Sequence, residues 1–518
     1  MYTYKKSSYA AIKNLDKKSS YAASKWKVRR LITMAKSMSK NAIFKAILNL
    51  FNIILPILVI PLVTRAVGPE LYGYMGYGDS LTAYFLIFAS FGIYQYGLRE
   101  ISKVRDDEKK LRQTFTSLCL FSFITNIVAS AAYMIFVAVA YKDKPYMYTC
   151  IIMGFNLVFN MFYVEWVNEA LENYDFIAIK TMIVRIIYSS LILLLVRSDK
   201  DYLFYLYLVV GFNFINNIIS FIYVKKRIKF DFSNLQFSKH IRPMLYVVIL
   251  SNTGVLYTQL DKIMIKSNTG TTDVGYYYTA QRIMTIINTL MLTVVQVTMP
   301  RLSNYLGNES KKEYLNLLKR VIKIYFLFLF PASIGLLCLS KEAIYMFGGA
   351  EFLPAVPVMV VFAIYMLSIG VESVIANQMT YLHGKERDDA MLVLIGGVIN
   401  LILNVLLVIT GTFSMVTAIG TTLIANLIVI VLEYRLVRKV IKLDIHLFAY
   451  ENTKYFFYSL IFIPITFVIK KFIGNIFIAC VLEIGMCGLV YLGILILTKD
   501  AIFFELVDKI LVKFKLKK

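Results

Sequence analysis

Arg185 sits in the middle of an apolar run, about 14 Å along a helix from its start near Phe176 at roughly 1.5 Å per residue. Thr181, Arg185, Tyr188 and Ser189 recur at the spacing of one helix face. If the run crosses a bilayer, a charge at that depth costs at least ~2.5–3.5 kcal/mol. The depth is also too great for the side chain to reach an interface easily. An arginine so placed can grip a phosphate through parallel N–H donors, or it can pair with a carboxylate on another helix. Lys180 is a little over one turn shallower and off that face, so snorkelling explains it as well as function does.

Other polar residues interrupt apolar runs in the same way. Lys45, Asn49, Asn52 and Pro56 share one face, where amides could hydrogen-bond a sugar or a neighbouring helix. Arg282 lies on a stripe with Thr285, Thr289, Thr293 and Gln296, and Asp261 follows Ser251 and Thr258. Asp261 and Arg282 either lock to each other, or Arg282 receives an anionic group. Glu372 is either a cation or proton site, or the counter-ion of Arg185 or another base. Asn213 and Asn217 extend the polar lining, and Glu165 is a further candidate for an ion or gating role.

No catalytic constellation accompanies them. The chain lacks a Walker A sequence, which argues against ATP hydrolysis. The five cysteines have no metal-ligand spacing and the three histidines form no cluster. No enzyme activity, cofactor or metal is expected.

Fourteen apolar stretches between Asn41 and Leu497 are long enough to position these residues across a bilayer. They include 42–64, 79–97, 176–196, 241–265, 278–300, 453–470 and 474–497. The composition agrees: 58% of residues are hydrophobic, only 17% are charged, and mean hydropathy is +0.66. A soluble domain would carry about 25% charged residues. The net charge of +24 would suggest nucleic acid in a soluble protein. Here the bases concentrate in alternate loops, Arg99–Arg112, Lys225–Arg242, Arg301–Lys323 and Arg435–Lys454, which the positive-inside rule explains. Both termini are therefore expected in the cytoplasm, and nucleic acid is not an expected partner.

A turn repeats six spans apart. Gly68-Pro-Glu-Leu-Tyr-Gly73-Tyr74 follows the first span, and Gly270-Thr-Thr-Asp-Val-Gly275-Tyr276 follows the seventh. An even period puts both halves in the same orientation, related by an axis along the membrane normal, with a substrate site between them. The expected organisation is a disordered basic tail over 1–40, a first lobe of six helices over 41–224 and a linker over 225–240. A second lobe over 241–440, two further helices over 441–498 and a basic tail over 499–518 complete it. The expected fold is an all-α polytopic membrane protein.

At these motifs a family resemblance emerges. Pro61-Leu-Val-Thr-Arg65-Ala-Val-Gly-Pro-Glu-Leu-Tyr-Gly73 and Phe91-Gly-Ile-Tyr-Gln-Tyr-Gly-Leu-Arg99-Glu-Ile-Ser-Lys103 resemble the start of bacterial polysaccharide repeat-unit flippases. Trp166-Val-Asn-Glu-Ala-Leu-Glu172, Leu260-Asp261-Lys262 with Gly275-Tyr276, and Phe347-Gly348-Gly-Ala-Glu-Phe352 are similar to later parts of the same family. Glu165 before Trp166 and Asn168-Glu169 depart from its usual pattern. The likeness spans roughly 38–500 and places the chain near the multidrug/oligosaccharidyl-lipid/polysaccharide exporter superfamily. It implies a flippase of the bacterial cytoplasmic membrane, moving oligosaccharide on undecaprenyl pyrophosphate to the outer leaflet for capsule or O-antigen export. The implied partners are that glycan lipid, the bilayer and other polysaccharide assembly proteins. A lipid II flippase and a cation or drug exporter of the same fold stay open as alternatives. A membrane glycosyltransferase or polymerase is less favoured, because no long loop could house one.

Overall fold

A computed structural model describes residues 21–513, without the side chains of 21–43, of 45–46, of several positions between 246 and 258, and of 510 and 513. The described chain is helical, with no strand. Large apolar side chains such as Leu58, Val139, Ile409, Phe467 and Leu489 face outward, while Asn126, Asp261, Asn400, Asn404 and Glu433 are buried. That arrangement inverts the water-soluble pattern and fits a hydrocarbon solvent, where polar groups must find partners inside.

The first half comprises α1 (Tyr21–Ser90), α2 (Ile93–Val104), α3 (Glu108–Ala140), α4 (Met147–Asn160), α5 (Glu165–Ala170), α6 (Tyr174–Leu195) and α7 (Tyr202–Arg227). The second comprises α8 (Phe237–Thr258), α9 (Leu260–Asn268), α10 (Thr271–Gly307), α11 (Lys311–Cys338), α12 (Ser340–Gly348), α13 (Val356–Val374), α14 (Glu386–Ile409) and α15 (Met415–Leu436). After these come α16 (Tyr450–Ser459), α17 (Phe462–Phe472), α18 (Ile476–Leu497) and α19 (Ala501–Lys513). Twelve described segments are long and apolar enough to cross a membrane. The first of these contains both limbs of α1, which is interrupted at Gly68. With those limbs counted separately, and α8 with α9 as one further span, the fourteen expected spans are accounted for.

Several boundaries differ from the sequence reading. The span expected over 79–97 ends at Ser90, because Phe91 and Gly92 take left-handed conformations (φ 46° and 71°). Beyond that break, α2 lays Gly97 against the ring of Trp166, where a Cβ would meet the indole. The span over 241–265 breaks at Gln259, whose side-chain carbonyl accepts from Ser80 at 3.0 Å. The span over 453–470 divides at Leu460 and Ile461 into α16 and α17. The expected C-terminal tail begins as α19, held to α11 by an Arg320–Glu505 ion pair. Residues 1–20 of the expected N-terminal tail lie outside the described residues, and α1 already begins at Tyr21.

Three apolar cores show how the halves join. One draws on both halves at the end bearing the repeated turns, with Tyr72, Tyr133, Tyr205, Tyr278, Phe352 and Ile419 among its members. Toward the opposite end, that of the basic loops, the cores separate. One belongs to the first half and the start of α8, around Phe115, Trp166 and Met244. The other belongs to the second half and the C-terminal helices, around Tyr314, Tyr325, Tyr455 and Tyr491.

The repeated turn is the point of closest approach. Gly68 and Gly270 each take positive φ (75° and 115°) just before a helix. Five residues on, Gly73 and Gly275 stack backbone to backbone: a Cβ on Gly73 would overlap the Thr271 carbonyl, and one on Gly275 the Pro69 carbonyl. Neither neighbour is a side chain that can swing away. Gly275→Ala is therefore expected to lower thermal stability in detergent by about 1–3 kcal/mol, the usual cost of overpacking. Gly420→Ala, at a helical glycine with open space around it, serves as the control and should leave the melting temperature unchanged or raised.

Candidate functional site

A cavity of about 240 Å³ lies between the halves beneath the joint. Leu55, Pro56, Val59 and Ile60 from the first limb of α1 form one wall, and Tyr72 and Met75 from the second limb another. Arg185, Tyr188 and Ser189 of α6, Tyr205 and Val209 of α7, and Tyr278 and Arg282 of α10 complete it. Arg185, Tyr188 and Ser189 of the α6 face read from spacing lie on this cavity, and Thr181 of that face is not among its lining residues. Two arginines and four phenols converge there from both halves.

The two arginines differ. Arg185 makes no ion pair or hydrogen bond among the described residues, so the carboxylate partner considered for it is not found; neither Glu372 nor any other acid reaches it. Arg282 is engaged. Its Nη2 donates to the Tyr278 hydroxyl and lies 3.6 Å from Asp79 Oδ2, while that hydroxyl donates to Asp79 at 3.0 Å. Lys262, 1% exposed, lies 4.7 Å above the Tyr278 ring on the other side. Asp79 therefore holds Arg282 in place of an exogenous anion, across the boundary between α1 and α10. Asp79 was missed because it falls at the expected start of the second span, where an acid reads as a span end.

Asp261 does not pair with Arg282, contrary to one expectation. It is fully buried at the start of α9 and accepts from Tyr277 (2.7 Å), Thr422 (2.5 Å), Asn404 (2.9 Å) and Asn400 (3.3 Å). Four donors from α10, α14 and α15 satisfy the carboxylate where a guanidinium had been considered.

Lys180, considered for the cavity, and Glu165, considered for an ion or gating role, meet each other away from it. Both are buried, and the Lys180 ammonium donates to Glu165 Oε1, to Ser220 Oγ at 2.7 Å and to the Asn216 carbonyl at 3.2 Å. Ser220 donates to the same Glu165 oxygen at 2.6 Å. The unusual corner beside Trp166 is thus the acid that holds α5 to α6 and α7. Snorkelling does not explain Lys180, which points inward.

Asn213 and Asn217 serve the packing of α7 on α4, donating to Asn156 Oδ1 at 3.1 Å and to the Phe159 carbonyl at 3.4 Å. Asn49, Asn52 and Thr181 are half-buried. They continue toward the basic end the stripes of α1 and α6 that carry Pro56 and Arg185, by the i, i+3/i+4 relation of helix faces. Asn52 Oδ1 is buried without a donor. The side chain of Lys45 lies outside the described residues, as do those of Ser251 and Thr258. Glu372 accepts from Asn426 among other acids of the second half.

A larger and drier cleft, about 460 Å³, opens between α10–α12 and the C-terminal pair α17 and α18. Ile283 and Ile287, on the helix that carries Arg282, form its inner edge; Leu336, Phe347, Phe462, Ile484 and Tyr491 line much of the rest. Among the described residues, no group of acidic, histidine and cysteine side chains converges as a metal site.

Two helical halves with a charged cavity between them and an outward-facing apolar surface make up a polytopic membrane fold. Its fold matches that of a solved structure described as the lipid II flippase MurJ in an inward closed conformation, with a TM-score of 0.68 at 17% identity over 89% of this chain and 100% of that one. A multidrug-resistance MATE transporter in an inward-facing conformation matches with a TM-score of 0.57 at 12% identity over 76% of this chain and 94% of that one. The family model described as polysaccharide biosynthesis protein matches residues 38–306, and that described as lipid II flippase MurJ matches residues 184–487. The chain belongs to the polysaccharide biosynthesis protein family, and through the overlapping second match it is related to the lipid II flippases. A protein of Escherichia coli (strain K12) named as an O-antigen transporter is 22% identical over 374 residues, covering 71% of this chain and 89% of that one.

Proposed function

We propose that this protein is a flippase for polyprenyl-pyrophosphate-linked oligosaccharide, carrying repeat units from the inner to the outer leaflet of the bacterial cytoplasmic membrane. The observation that carries the reading is Arg185, a cation deep between the halves with no internal counter-ion among the described residues. A desolvated guanidinium without a partner is costly unless a ligand meets it, and a pyrophosphate offers the paired oxygens it binds best. Arg282 is the second contact, released when the phosphate competes with Asp79. The polyprenyl chain would occupy the apolar cleft on the other side of α10, and the glycan the polar stripes of Asn49, Asn52 and Thr181. The bias of basic loops supports cytoplasmic termini, with the shared core of the halves toward the outer side. The lobe limits 41–224 and 241–440 are part of the same proposal.

The net basic lining weighs against an exporter of cationic drugs, which would call for a carboxylate-dominated cavity. A lipid II substrate presents the same pyrophosphate, and the family match over 184–487 favours it as the second reading. Deleting the gene separates the two. Loss of surface polysaccharide with lipid-linked repeat units retained on the inner leaflet, and with cell-wall synthesis intact, is the expected result. Normal surface polysaccharide would overturn the proposal, and arrested cell-wall synthesis would favour lipid II.

A further inference from the structure

Toward the basic end of the second half, three carboxylates face one another with no base among them. Glu372 is on α13, Asp389 in the first turn of α14 and Glu433 near the end of α15. Glu433 is 0% exposed, and no donor among the described residues reaches either of its oxygens. Asp389 and Glu372 are its neighbouring acids. Thr380 donates to Asp389 Oδ1 at 3.2 Å, and Asn426 donates to Glu372. The surrounding bases are turned elsewhere. Lys385 pairs with Asp388 at 3.5 Å and Arg438 with Asp444 at 2.7 Å, while Arg387 and Arg435 are exposed. His383 directs Nδ1 to the Met379 carbonyl and packs on the Tyr314 ring.

A fully buried carboxylate with no donor, beside the half-buried acids Asp389 and Glu372, cannot stay ionised without something to neutralise it. Only a proton or a cation can do so, and no described set of acidic side chains converges as a metal site. The backbone around the group is also unusual. A π-helical turn, Ile375–Thr380, follows Glu372, and another, Val437–Ile441, follows Glu433. Such turns recur at functional sites in helices, and Thr380, which holds Asp389, belongs to the first.

We propose that Asp389 and Glu433 share one proton, with Glu372 as the adjacent acid through which it enters and leaves, and that this proton-binding site operates the joint of α13, α14 and α15. Loss of the proton sets like charges against one another and drives the start of α14 away from the end of α15. Regain of the proton restores the Asp389–Glu433 hydrogen bond and closes the joint. The site is separate from the arginine cavity, and its existence does not depend on what that cavity carries.

Infrared spectroscopy of the full-length protein in lipid nanodiscs, titrated with acid and base in H₂O and D₂O, tests this. Wild type should show a protonated-carboxyl band at neutral pH that shifts in D₂O and disappears in alkali. Glu433→Gln should lack it, whereas Glu351→Gln, at an exposed acid, should keep it. If Glu433→Gln does not accumulate, Asp389→Asn must displace the band, since the shared hydrogen bond is gone. An identical band in both variants would overturn the proposal. So would removal of the wild-type band by sodium at neutral pH, which would make this a metal-cation site. Neither outcome touches the flippase reading, whose own test is export.

Discussion

Arg185→Ala is expected to abolish surface polysaccharide and to trap lipid-linked repeat units on the inner leaflet, while the protein accumulates in the membrane as wild type does. This result follows from the absence of a partner. A side chain that stabilised the fold through an ion pair would leave an orphaned acid behind when removed, but no acid reaches Arg185. Truncation should therefore leave the melting temperature unchanged or raised, because a desolvated charge has been removed. The cost appears in binding: hydrogen bonds to a charged group contribute about 1.5–3 kcal/mol, or roughly ten- to over a hundred-fold in affinity. Arg185→Lys keeps the charge but loses the planar fork, so partial export is expected. Immunoblots, thermal melts and surface glycan staining of the three proteins check the set.

Lys180→Ala has the opposite profile. It leaves Glu165 buried with Ser220 and Asn168 as its remaining donors. Breaking a buried pair from one side costs about 3–5 kcal/mol, enough to deplete the protein from the membrane. The double variant Lys180→Met with Glu165→Gln removes both charges at near-constant volume and should recover most of the loss, since a neutral, packed core often equals a buried pair. Thermal melts in detergent, with membrane abundance alongside, measure the cycle. Equal melting of Lys180→Ala and wild type would show that the pair contributes little, and the packing of α5 on α6 and α7 would need another explanation.

Much of this architecture is legible in the chain because bilayer physics leaves few options. Apolar length gives the spans, the alternation of basic loops orders them, and the G-x-x-x-x-G-Y turn reveals the two halves. The structure explains why that turn needs glycine at Gly73 and Gly275: the backbones touch there. Helix periodicity also identified the α6 face that lines the cavity. It could not say what each polar residue meets. Arg185 and Lys180 are five residues apart, and one enters a cavity while the other is locked to Glu165. Arg282 and Asp261 seemed natural partners by depth, yet three-dimensional packing gave Asp79 to the first and four neutral donors to the second. The burial of Glu433 depends on how α14 and α15 pack, and a single sequence does not display that.

The most direct measurement uses the purified protein in proteoliposomes and a fluorescent polyprenyl-pyrophosphate oligosaccharide, scored by leaflet-selective quenching. Wild type should move the lipid between leaflets. Arg185→Ala should not, and a lipid with the same glycan and polyprenyl chain but no pyrophosphate should not be moved by either. Equal translocation by wild type and Arg185→Ala, or indifference to the pyrophosphate, would contradict the assignment of the central cation as its receptor.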